Sequence, residues 1–196
     1  AKMKKVNRDS LTLGPGAIGH AAADGGIPAL ILYACFAGIA IRFIDAERRP
    51  NHIWLPDAVT LAQVLGKLGS RHVVVVTADD GLDEISIGDK TEVAELKDGR
   101  VRRYSIQPEE FGIQRNSLEN IKAEDSAQSL DIIRSVLEDN PGPARDIVIL
   151  NAGAAIYTSG LAENLKDGIN RAREAIASGK ARNRLDRLVI LSQGFD

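Results

Sequence analysis

A run of valines, Val73-Val74-Val75-Val76, leads within a few residues into Asp79-Asp80-Gly81-Leu82-Asp83-Glu84-Ile85-Ser86. A short β-branched run bounded by turn residues reads as a buried strand. Upstream, Asp57 is a candidate N-cap, and Leu61, Val64, Leu65 and Leu68 follow at i, i+3, i+4 and i+7. That spacing predicts an amphipathic helix closed by Gly69. Helix, glycine stop, strand His72–Thr77 and polar loop make an α/β unit, so the expected fold is α/β, a mixed or parallel sheet flanked by helices. Ligand sites in open α/β sheets lie beyond the carboxyl ends of strands, which directs attention to this acidic loop. Asp83 and Glu84 are hard oxygen donors suited to Mg²⁺ and, through it, to a substrate phosphate. Taken alone, an adjacent acidic pair reads more readily as a solvated turn than as a metal site.

With 196 residues, 44% hydrophobic and 27% charged, the chain has material for one sizeable core. A net charge of −2 gives no reason to expect nucleic acid or a membrane surface as partner. The single cysteine, Cys35, cannot form an internal disulfide and reads as a buried structural thiol in a reducing compartment. Ala1–Ser10 is polar and basic with no apolar run directly behind it, so no secretory signal is expected. Ile27–Ile41 is uncharged but shorter than the about 20 residues a spanning helix needs, and it reads as core. The expected location is the cytoplasm.

Two regions follow from the pattern: residues 1–53, an N-terminal segment without a clear assignment, and residues 54–196. In the first, Gly14, Gly16 and Gly19 match the G-x-G-x-x-G fingerprint, with Asp45 placed as a ribose-binding acid would be. This supports an alternative reading as an NAD(P)-binding oxidoreductase. Gly25, Gly26 and Pro28 oppose it, since they occupy the segment that should form the intervening helix.

In the second region, Thr91–Leu96 and Val101–Ile106 flank Lys97-Asp98-Gly99-Arg100, the pattern of a β-hairpin. Pro108 suits the first position of a helical turn. Ser126 is a candidate cap for a helix carrying Ala127, Leu130, Ile133 and Leu137, ending before Asn140-Pro141-Gly142-Pro143. Ile147–Ile156 is apolar almost all round and predicts a buried helix, with Ala152, Gly153, Ala154 and Ala155 permitting close packing. Leu161, Leu165, Ile169, Ala172 and Ile176 stripe the next helix, and Leu185, Leu188 and Val189 the last. His20, His52 and His72 lack metal-ligand spacing, and Ser86 and Ser159 have no partner pattern for nucleophilic catalysis. The basic run Lys180–Arg187 reads as a solvated face, and Asn151–Tyr157 as packing.

These residues carry a resemblance. Leu65–Ser70, Gly81–Ser86, Val93–Gly99, Tyr104 with Pro108–Gly112, Gly142–Asp146, Leu150–Tyr157 and Ala175–Ala181 occur in the order and approximate spacing of the anthranilate phosphoribosyltransferases. From about residue 58 to 191 the chain resembles part of the large α/β domain of these nucleoside-phosphorylase-like enzymes. The resemblance implies a small helical domain and a large α/β domain with the active site between them, in a homodimer. It implies transfer of phosphoribosyl from phosphoribosyl pyrophosphate to anthranilate, releasing pyrophosphate, in tryptophan biosynthesis. It further implies that Asp83 and Glu84 help bind the Mg²⁺ associated with the pyrophosphate. The chain departs from the family in lacking the Gly-Thr-Gly-Gly-Asp, Asn-x-Ser-Thr and Lys-His-Gly-Asn-Arg motifs and the arginine-bearing anthranilate segment. It also has Thr77-Ala78 where the family commonly has His-Gly. Those departures leave open a non-catalytic binding domain derived from the same family.

Overall fold

The computed structural model describes residues 55–195. Its first helix, α1 (Leu55–Lys67), leads into β1 (His72–Ala78), β2 (Thr91–Lys97) and β3 (Arg100–Ile106), which form one three-stranded sheet in the order β1-β2-β3. Helices α2 (Ser126–Leu137), α3 (Pro143–Thr158), α4 (Leu165–Ala177) and α5 (Lys180–Ser192) follow.

Both strand pairs are antiparallel. His72 lies opposite Lys97 and Ala78 opposite Thr91; Thr91 in turn lies opposite Ile106 and Lys97 opposite Arg100. The parallel pairing that the α/β unit leads one to expect is not found among the described residues, because no helix crosses between consecutive strands here. Instead loop 79–90 returns the chain directly, so the C-terminal end of β1 and the N-terminal start of β2 together frame the acidic segment. The β2–β3 hairpin turns on Asp98 (φ 51°) and Gly99 (φ 74°), the pair of left-handed residues that a two-residue type I′ turn requires.

The sheet has helices on both faces. Val73, Ala94 and Leu96 point to α1, whereas Val93, Val74 and Val76 join the larger core built around Ile149, Leu150 and Ile156 of α3. This alternation along β2 is the period of two expected of a central strand buried on both sides.

The face that α1 buries is not the leucine stripe. Ala58 and Ala62 are fully buried, while Leu61, Val64 and Leu68 are exposed. A Cβ on Gly66 would stand 2.9 Å from Leu96 Cδ2. Ala58, Ala62 and Gly66 thus form an i, i+4, i+8 row of small residues that lets the helix lie close on the sheet. The helix also begins at Leu55, ahead of the expected Asp57 cap. Its C-terminus is as predicted: Gly69 N–H donates to Gly66 O and Ser70 N–H to Leu65 O, both at 3.0 Å, with Gly69 at φ 97°.

Helix α2 is capped by Asp125 rather than Ser126, its carboxylate accepting from Gln128 N–H at 2.8 Å. Helix α3 is buried on most sides, as its composition requires, and packs against α4 at backbone contact. A Cβ on Gly153 would meet Ile169 Cγ1 at 2.5 Å and its Cα at 2.6 Å, and one on Gly168 would collide with Gly153 O. Ile169, Ala172 and Ile176 of the predicted stripe are buried, whereas Leu161 lies outside the helix and is exposed. In α5, Leu185 packs on the core but Leu188 and Val189 remain exposed.

Candidate functional site

Loop 79–90 is a folded element with its own hydrogen bonds. Ala78 N–H donates to Leu82 O and Asp79 N–H to Lys90 O, each at 2.9 Å, closing the base of the loop. Gly81, at φ 87°, donates to Ala78 O, and Leu82 N–H reaches the Asp80 carboxylate at 3.2 Å. The tight turn therefore falls before the acidic pair, and Asp83 is exposed while Glu84 is half-buried.

Two braces fix the descending limb. Asn151 of α3 pairs with the peptide of Ile85 in both directions. Ile85 N–H donates to Asn151 Oδ1, and Asn151 Nδ2 donates to Ile85 O, each at 2.9 Å. The same amide nitrogen reaches Ile147 O at 3.0 Å. On the next residue, Ser86 is fully buried and its hydroxyl donates to Asp80 Oδ2 at 2.5 Å while accepting Gly88 N–H at 2.8 Å. Ser86 N–H donates to the hydroxyl of Thr91, itself fully buried, at 3.1 Å. Ser86 is thus a fully buried brace of the loop. A Cβ on Gly88 would stand 2.7 Å from Asp80 Oδ2 and 3.3 Å from Asn116 O, so a larger residue there would disturb the Asp80–Ser86 bond.

Beside the loop, Arg115 gathers three acceptors. It donates to Asp89 Oδ1 at 2.8 Å, Glu109 Oε1 at 2.7 Å and Gln107 Oε1 at 2.7 Å. The backbone N–H of Lys90 and then the Arg115 guanidinium hold the Asp89 carboxyl below its ordinary value. Arg115, Asn116, Ser117 and Leu118 line a hollow of about 430 Å³ with Asp80 and Gly88.

Among the described residues no group of three or more His, Cys, Asp or Glu side chains could hold a metal ion. A closed protein cage is therefore not built here. An adjacent Asp–Glu pair on a braced loop instead fits a hard cation that takes most of its oxygen ligands from water and phosphate, which is the coordination habit of Mg²⁺.

At the opposite end of the sheet lies a polar cluster that the sequence reading did not find. Glu95, 3% exposed, accepts from His72 Nε2 at 2.9 Å and from the Tyr157 hydroxyl at 2.7 Å. Lys97 donates to Tyr157 at 3.2 Å and sits 4.6 Å from its ring centroid. His72 carries no local signal of this role because Glu95 lies 23 residues away in the chain; the register of β1 against β2 brings the two together.

Gly14, Gly16, Gly19 and Asp45 lie outside the described residues, as do His20, His52 and Cys35. No helix among the described residues is long and apolar enough to cross a membrane.

Residues 56–182 match the model of a glycosyl transferase family, a/b domain. An anthranilate phosphoribosyltransferase of Thioalkalivibrio sulfidiphilus is 60% identical over 129 residues, covering 66% of this chain and 38% of that protein. The crystal structure of the anthranilate phosphoribosyltransferase from Thermus thermophilus matches with a TM-score of 0.62 at 35% identity, over 69% of this chain and 40% of that one. The Saccharomyces cerevisiae enzyme in complex with PRPP and Mg matches with a TM-score of 0.51 at 25% identity, over 58% and 33% of the two chains. The chain spans about two fifths of the length of the first two of these relatives. The oxidoreductase alternative finds no support, since its residues lie outside the matched segment and the relatives are phosphoribosyltransferases.

Proposed function

The chain belongs to the glycosyl transferase family, a/b domain, and we propose that it is the part of an anthranilate phosphoribosyltransferase that engages the metal-bound pyrophosphate of its substrate. The observation that carries this reading is the acidic loop itself. An Asp–Glu pair at the carboxyl end of a strand is held in a defined shape by Asn151, Ser86 and Thr91. The chain holds this loop within a segment 60% identical to an anthranilate phosphoribosyltransferase.

In this reading Asp83 and Glu84 hold Mg²⁺, which when bound neutralises the charge of the departing pyrophosphate. The exposure of Asp83 leaves room for a ligand that brings its own oxygens, and the braces on Ile85 and Ser86 hold the backbone that follows the pair. Phosphoribosyl pyrophosphate and anthranilate are the proposed substrates, the whole enzyme is a homodimer, and its place is the cytoplasm.

The test is calorimetric titration with phosphoribosyl pyrophosphate in the presence and absence of Mg²⁺, followed by the loss of anthranilate fluorescence in the same mixture. Mg²⁺-dependent binding is the expected result. Binding without turnover favours the second reading, a family-derived binding domain. No binding with Mg²⁺ present overturns both.

A further inference from the structure

We propose that Asn151 is a positioning residue for the metal site: its amide fixes the peptide that follows Glu84 and so sets the direction in which the acidic pair is presented. This rests on the reading of loop 79–90 as the Mg²⁺–pyrophosphate loop, and goes beyond it by assigning a role to a residue on α3 that touches neither ligand.

The geometry is specific. A primary amide carries an acceptor and a donor side by side in one plane, so it can accept from a peptide N–H and donate to the same residue's C=O. Asn151 does both on Ile85, at 2.9 Å each way. Its remaining N–H is used on Ile147 O, one turn back in its own helix, so the amide plane cannot rotate without losing a partner. Ile85 is itself buried, 3% exposed, with its side chain in the core. The residue after the pair is therefore held both by its side chain and by its backbone. The Ser86–Asp80 and Ser86–Thr91 bonds continue the restraint one residue further. Glu84 sits immediately before this anchored peptide, so its Cα has little freedom to shift. Groups that orient metal ligands contribute strongly to affinity although they never touch the ion, and their removal typically weakens binding about 10- to 100-fold.

The test compares Asn151→Ala with Asn164→Ala. Asn164 caps α4 by accepting from Asp167 N–H at 2.9 Å, away from the loop, and its loss is a comparable structural insult. Mn²⁺ is titrated into each protein with inorganic pyrophosphate present and followed by water-proton relaxation. Amide exchange at Ile85 is measured by NMR without metal. Both variants are expected to unfold at lower temperature, but only Asn151→Ala loses about tenfold in Mn²⁺ affinity and loses protection at Ile85. Equal Mn²⁺ affinity in Asn151→Ala and wild type, or equal weakening in Asn164→Ala, overturns the proposal. If Asn151→Ala does not fold, Asn151→Asp replaces it; that variant keeps an acceptor for Ile85 N–H and loses the donor to Ile85 O. Failure of the wild-type protein to bind Mn²⁺ with pyrophosphate overturns the functional reading and the metal role of Asn151 with it. The exchange data then still decide whether Asn151 holds the Ile85 peptide.

Discussion

The Tyr157 hydroxyl donates to Glu95 Oε1 at 2.7 Å, tying the last turn of α3 to the central strand of the sheet. The pair is buried, and His72 Nε2 reaches the same carboxylate oxygen from β1. Removing the hydroxyl leaves a buried acceptor short of one donor, and such losses cost about 1–3 kcal/mol. Tyr157→Phe is expected to lower the urea midpoint accordingly, without changing the slope of the transition.

The same carboxylate predicts an acid limb of stability. Burial opposes ionisation of Glu95, but the hydrogen bonds from Tyr157, His72 and Tyr104 outweigh it and hold the carboxyl below its ordinary value of 4.5. A group with a depressed folded value contributes stability that is fully present above the unfolded value and is lost as pH falls through the folded one. Wild-type unfolding free energy should therefore decline as pH drops below 4.5, and the decline should be shallower in Glu95→Gln. Parallel pH profiles for the two proteins would show that Glu95 is not the group responsible.

At the α3–α4 crossing, Gly153→Ala places a methyl against the Ile169 backbone, which has no room to give. Overpacking of this kind costs about 1–3 kcal/mol, and contact with backbone puts this site at the upper end. Gly99→Ala, by contrast, meets nothing within 4 Å and is strained only by its φ of 74°. It is expected to cost about 1 kcal/mol. Thermal unfolding of the two variants side by side separates steric from conformational cost.

On α1, Ala62→Leu should destabilise by about 1–3 kcal/mol, because Ala62 is fully buried against the sheet. Leu61→Gln, at a position 40% exposed, should stay within about 0.5 kcal/mol of wild type. The reverse order would restore the leucine stripe as the buried face.

Asp83→Asn combined with Glu84→Gln should abolish Mg²⁺-dependent binding of phosphoribosyl pyrophosphate. The fold should survive, since Asp83 is exposed and the loop braces run through Ile85 and Ser86. Circular dichroism and calorimetry on the double variant check both halves, and unchanged binding removes the site assignment.

Local chemistry alone determined a good part of this molecule. The Asp98-Gly99 turn, the Gly69 helix stop, Pro108 opening a helical turn and the largely apolar α3 each depend on backbone preference or composition within a few residues. The acidic loop was legible for the same reason, since a strand followed by a glycine turn and paired carboxylates is a local pattern. Tertiary structure decided what depends on distance. Which face of α1 turns inward was set by how closely a helix can approach β2, and there Ala58, Ala62 and Gly66 outcompete the larger Leu61 and Val64. The link from Asn151 to Ile85 spans 66 residues, and that from Tyr157 to Glu95 spans 62. A run such as Asn151–Tyr157 reads as packing because a side-chain amide carries no sign in sequence of the peptide it will meet. Hydrophobic periodicity records only that a residue is buried; the partner of a buried polar group appears when the chain folds back and leaves that group no water to bond.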